Sequence, residues 1–67
     1  MNTDILKGKW NELKGSAKEK WGKLTDDEVD EADGNFDQLV GKVQAKYGYA
    51  RDKAEAEVSE WMNSLSK

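Results

Sequence analysis

Leu6, Trp10, Leu13, Ala17, Trp21 and Leu24 recur at steps of three and four, the spacing that places residues on one face of an α-helix. A first helix is therefore expected, with Asn2 or Thr3 able to cap its start, Asp4 near the positive end of its dipole and Gly22 marking its end. Thr25-Asp26-Asp27-Glu28 then has the capping-box pattern, in which the Thr hydroxyl and the Glu carboxylate each accept from a backbone N–H that the helix start leaves free. A short second helix through about Ala32 follows. Phe36, Leu39, Val40, Val43 and Tyr47 repeat the helical spacing, with Gly48 placed for the left-handed residue that ends a helix. Ala54, Val58, Trp61 and Leu65 form the stripe of a fourth helix starting near Ala50, and no proline interrupts any segment.

The chain resembles itself at an offset of 26 residues: Gly8, Leu13, Gly15, Lys20, Gly22 and Asp26 match Gly34, Leu39, Gly41, Lys46, Gly48 and Asp52. Trp10 likewise matches Phe36, and Trp21 matches Tyr47. The expected fold is all-α, a small bundle of about four short helices in which two similar helical hairpins pack across each other. One domain over residues 1–67 is expected, with a core of Trp10, Leu13, Ala17, Trp21, Leu24, Phe36, Leu39, Val43, Tyr47, Val58 and Trp61.

Composition sharpens this picture. A chain of 67 residues buries only about 60% of its unfolded surface, and without Cys or His it lacks the usual disulfide and zinc staples of small domains. Helix packing alone must hold it. The missing cysteines, a start without a basic n-region and the absence of any long apolar run lead us to expect a cytoplasmic protein.

The net charge of −3 is unevenly spread. Lys7, Lys9, Lys14, Lys18, Lys20 and Lys23 outnumber Asp4, Glu12 and Glu19 in the first helix, while residues 25–37 carry seven carboxylates and no Lys or Arg. The simpler reading is that the acidic stretch neutralises the basic helix within one molecule; the other is that it binds a partner. Lys7, Lys14 and Lys18 border one edge of the apolar stripe and Lys9 and Lys20 the other. That arrangement suits a solvated rim around a buried stripe, and it is also the arrangement of a helix lying on an anionic membrane. The six glycines form two heptad-spaced sets opposite the stripes. Either a neighbouring helix passes close to them, or they stand in water and keep the helices marginal.

Chemistry is harder to find. Without His or Cys, a nucleophile would have to be Ser or Thr activated by Lys or a carboxylate, and no triad can be assembled. Taking Gly34 as an EF-hand glycine puts Val29 at the first ligand position, so the acidic stretch fails as a calcium loop. The dispersed glycines make no phosphate cradle, and an acidic chain whose aromatics belong to its apolar stripes is weak support for nucleic-acid binding. We nominate no catalytic, cofactor-binding or metal-binding residue, and expect no enzyme and no small-molecule substrate.

The segment Gly8-Lys9-Trp10-Asn11-Glu12-Leu13-Lys14-Gly15, the run Trp21-Gly22-Lys23-Leu24-Thr25-Asp26-Asp27, and Gln38-Leu39-Val40-Gly41-Lys42-Val43-Gln44 followed by Tyr47-Gly48-Tyr49 closely resemble the CsbD-like family of small bacterial proteins. The resemblance covers nearly the whole chain, weakening after Trp61, and rests on Trp, Gly and Tyr at fixed spacings. It implies a compact bundle of short helices and membership of the bacterial general stress response, and it implies no catalytic residues. The expected function is thus a non-catalytic stress protein, monomeric, that protects or binds other macromolecules through an unidentified partner. The alternatives are a peripheral binder of anionic membrane surfaces and, further off, a nucleic-acid accessory protein.

Overall fold

The chain begins with two helices where periodicity predicts one. The computed structural model describes residues 3–65, with side chains from Leu6 onward; the expected caps at Asn2 or Thr3 and the Asp4 carboxylate lie outside what it describes. Helix α1 spans Thr3–Gly8 and α2 spans Trp10–Lys20. They part at Lys9, whose φ of −111° and ψ of 15° are not helical and whose side chain makes no capping hydrogen bond. Gly8, a poor helix former, precedes the break, and the Lys9 carbonyl accepts from both Glu12 N–H and Leu13 N–H at 2.9 and 3.0 Å. The break turns α1 out of line with α2, so that the backbone at Leu6 and Lys7 lies against Gly34.

The other three helices follow their sequence signals. In α3, Asp26–Ala32, the capping box is complete: Thr25 N–H donates to Glu28 at 2.9 Å, and Glu28 N–H donates to the Thr25 hydroxyl at 3.2 Å. Helix α4, Phe36–Tyr47, starts at Asn35, whose side chain accepts from Gln38 N–H at 3.0 Å, and stops at Gly48 with φ +72°. Helix α5 runs Arg51–Leu65. Five helices and no strand make up the described residues, which establishes the all-helical class.

The packing does not resolve the helices into two crossed hairpins. Helix α3 packs against both α2 and α4, so packing draws no boundary between a first pair and a second. Arg51, at the head of α5, pairs at 2.9 Å with Asp37 at the head of α4, two positions that a simple antiparallel hairpin holds apart. Positions 26 apart also differ in role. Trp10 and Trp21 are buried where Phe36 and Tyr47 are half-buried, and Gly34 takes φ +74° whereas Gly8 does not enter the left-handed region.

The core joins every helix. Trp61 of α5 meets Trp10 edge-on, centroids 6.3 Å apart, and Trp21 at 5.2 Å, an arrangement that puts ring edges on ring faces. The Trp10 indole N–H donates to the Val29 carbonyl of α3 at 2.9 Å, and that of Trp61 donates to the Ser16 hydroxyl of α2 at 3.2 Å. Of the expected core, Trp10, Ala17, Trp21, Leu24, Leu39, Val43, Val58 and Trp61 are buried, whereas Leu13, Phe36 and Tyr47 pack only partly against it. Leu6, Val29, Ala32, Val40, Ala54 and Met62 join them. Ala54 belongs to the expected stripe of the last helix but not to the expected core, and Ala32 to neither; both are fully buried.

The glycines divide sharply. A Cβ placed on Gly15 or Gly41 meets nothing within 4 Å, so no neighbouring helix packs on that face. Gly34 is the opposite case, since its Cβ would lie 2.5 Å from Lys7 Cα and 2.9 Å from the Leu6 carbonyl oxygen. Replacing Gly15 or Gly41 with Ala should raise unfolding free energy by up to about 1 kcal/mol. Gly34→Ala should lower it by about 1–3 kcal/mol from the left-handed backbone alone, with more from the contact. Trp61→Ala should cost about 3–5 kcal/mol. Urea denaturation of the four variants against wild type checks all of these, and a stabilised Gly34→Ala would contradict the placement of α1.

Candidate functional site

Four of the ion pairs join α3 to the lysines of its two neighbours. Asp26 and Asp30 are four residues apart and so share one helix face. They meet Lys18 and Lys14 of α2 at 2.7 and 2.9 Å. Glu28 and Glu31, three apart on another face, meet Lys46 and Lys42 of α4 at 3.2 and 2.9 Å. On both sides the residue numbers run in opposite directions, so each pair of rows is an antiparallel ladder. The acidic stretch partly neutralises the basic helix within one molecule, through Lys14 and Lys18, and it pairs with Lys42 and Lys46 of α4 as well.

These contacts set the proton affinities. The Lys18 ammonium, by hydrogen bond first and by charge second, holds the Asp26 carboxyl below its ordinary value. Glu28 is lowered chiefly by the Thr25 N–H of the capping box, with help from Lys46 against a counteracting burial effect. Arg51 is raised by its hydrogen bond to Glu55 and then by Asp37. All three shifts have structural causes: a cap or an exposed ion pair.

Two other surface features accompany the ladders. An open groove of about 440 Å³ runs along the α2–α3 seam, lined by Asn11, Lys14, Gly15, Asp26, Val29 and Asp30. The bare Gly15 widens it, and the 2.9 Å bridge between Lys14 and Asp30 crosses its lining. Near the α4–α5 turn, Tyr47 and Tyr49 stack with centroids 5.4 Å apart. The Lys23 and Lys53 ammonium groups stand 5.2 and 4.7 Å from their respective rings, and Lys23 N–H donates to the Tyr47 hydroxyl at 3.3 Å. Among the described residues no group of three or more carboxylates is arranged to hold a metal ion, and no helix is long and apolar enough to cross a membrane.

The sequence nominates no site residue, and it pairs the first helix's lysines with the acidic stretch only in bulk, without naming individual partners or those of α4. Their partners were readable in principle: lysines four apart on α2 and α4 face carboxylates three or four apart on the helix between them. What was missing was the knowledge that α3 lies between those two helices.

A sequence profile of the CsbD-like family matches residues 4–56. The chain belongs to this family. A UPF0337 protein of Pseudomonas aeruginosa is 49% identical over 65 residues, covering 97% of this chain and all of that protein. The UPF0337 protein YjbJ of Escherichia coli K12 is 54% identical over 61 residues, 91% of this chain and 88% of the relative. A UPF0337 protein of Xanthomonas axonopodis pathovar citri is 52% identical over 65 residues, 97% and 94% of the two chains. This CsbD-like protein thus matches relatives of its own size nearly end to end.

The lowered carboxyls fix the sign of an acid response. A depressed native pKa stabilises the fold fully above the ordinary values of 3.8 for Asp26 and 4.5 for Glu28, and that contribution disappears as pH falls through the lowered native values. Denaturant midpoints should therefore barely change between about pH 7 and 5.5 and drop below about pH 4.5. Asp26→Asn should flatten part of that drop, and a midpoint that rises on acidification would contradict these ladders.

Proposed function

We propose that this CsbD-like protein is a non-catalytic, cytoplasmic component of the bacterial general stress response that acts by physical association with other macromolecules. The observation carrying the reading is how its titratable groups are used. Asp26, Glu28 and Arg51, the groups with shifted proton affinity, are engaged in a helix cap and in surface ion pairs. Catalytic acids and bases are instead tuned by burial or like charge within a cleft. The family resemblance supports the stress context.

Physical chemistry supplies a rationale for association. Charged residues make up 37% of the chain and its mean hydropathy is −1.02, which keeps it dispersed when water or temperature becomes limiting. Helices carrying exposed Gly15 and Gly41 are held near the margin of stability, so local structure loosens or tightens as conditions change. The protein acts as a monomer in this reading and takes no small-molecule substrate.

Deleting the gene and challenging cells with osmotic, desiccation and stationary-phase stress tests the proposal. We expect a survival defect restored by wild type and not by a Trp10→Ala, Trp21→Ala variant. Survival unchanged under every stress, or a purified protein that turns over a metabolite, would refute it.

A further inference from the structure

The ladders place α3 between two rows of lysines. Lys14 and Lys18 on α2 and Lys42 and Lys46 on α4 form two rows, and α3 meets both with carboxylates from a helix of only seven residues. A helix that short does not persist on its own, and α3 buries only Val29 and Ala32 along its length. Three of the four bridges have a carboxylate open to water, Asp26, Asp30 and Glu31 being 81%, 58% and 68% exposed, whereas Glu28 and Lys46 are half-buried at 26% and 35%. Exposed pairs are individually weak and readily exchanged.

We infer that α3 is an internal competitor that occupies a cationic surface of α2 and α4, and that an anionic lipid surface displaces it. This rests on the association reading above and names its partner and its control. With α3 in place the lysine rows are neutralised. With α3 displaced, the four ammonium groups become available to phosphate headgroups. Displacement also uncovers the α2 face that carries Trp10, whose indole N–H loses the Val29 carbonyl, and an amphipathic indole beside lysines suits the headgroup layer. Attraction between basic residues and an anionic leaflet accumulates lysine by lysine, so freeing four together makes the response steep. The further charges on and beside α3, Asp27, Asp33 and Lys7, form no ion pair among the described residues and leave the competition to the two ladders.

Binding of the full chain to vesicles of phosphatidylglycerol and phosphatidylcholine, with pure phosphatidylcholine as reference, tests this by co-sedimentation. The variant Asp26→Asn, Glu28→Gln, Asp30→Asn, Glu31→Gln removes the competitor charge while keeping a Gln able to complete the capping box. A control with the same net charge, Glu12→Gln, Glu19→Gln, Asp52→Asn, Glu60→Gln, alters carboxylates outside the ladders. The first variant should bind the anionic vesicles at least about tenfold more tightly than the control. Adding Lys14→Gln and Lys18→Gln to it should remove most of that gain. Hydrogen exchange of wild type guards against misfolding of the variant: on anionic vesicles the amides of Val29–Ala32 should lose protection while those around Val58 in α5 keep theirs. Equal binding by the two charge variants, or unchanged α3 protection on vesicles that bind wild type, would overturn the inference. So would the absence of binding by every variant, and a stress defect still rescued by wild type would then leave the association reading standing without a lipid partner.

Discussion

Trp61 is the contact on which the rest of the molecule depends. It lies in the last helix yet packs on the indoles at both ends of the second, Trp10 at its start and Trp21 just past its end, with the Ser16 hydroxyl accepting from its N–H. A chain of this length has little apolar surface to bury, so three large rings drawn into one cluster do the work that a broader core performs elsewhere. The neighbouring helices are then located by what they add to that cluster. Helix α3 contributes Val29, whose carbonyl satisfies the Trp10 indole, and α4 contributes Leu39, Val40 and Val43. The cluster carries one internal cost: the Trp21 indole N–H is buried without a hydrogen-bond partner among the described residues, an expense that well-packed aromatic surface offsets.

Charge arranges what the indoles hold. Val29 and Ala32, the two buried side chains of α3, lie three apart on one face, and every other position of the helix is a carboxylate, so any other rotation would bury a charge. The ladders agree with that rotation, Asp26 and Asp30 facing α2 while Glu28 and Glu31 face α4. The ions therefore help specify orientation while adding little stability, as expected for exposed pairs. At the far end of the fold a backbone contact has the same specifying role: Gly34 admits the α1 backbone where any side chain would exclude it.

Local features were legible in the sequence and long-range ones were not. The capping box at Thr25, the left-handed stop at Gly48 and the stripes of α4 and α5 depend on residues within a turn of one another, so periodicity and capping chemistry located them. The break at Lys9 was hidden because Leu6 and Trp10 keep helical spacing across it; it goes together with the contact of the Leu6 and Lys7 backbone with Gly34, 26 positions away from Gly8. That same offset suggested a repeat, and residue type alone could not show that Gly34 is squeezed against backbone while Gly8 stands in the open. Resemblance carried the family correctly because Trp, Gly and Tyr spacing survives without any knowledge of packing. The ladders around α3 needed both the helix positions and their neighbours, and only the first of these was visible in advance.

The three-indole cluster has a spectroscopic consequence. Chromophores separated by 5.2 and 6.3 Å couple electronically, so the three tryptophans do not behave as independent chromophores. Excitation passes among them before emission, and the far-ultraviolet dichroism gains an exciton contribution on top of the helical signal. Helix content read from dichroism will be biased for the folded chain, and the bias will vanish when the cluster comes apart. Loss of the exciton couplet is therefore a direct optical marker of separation between α2 and α5, independent of whether either helix unwinds.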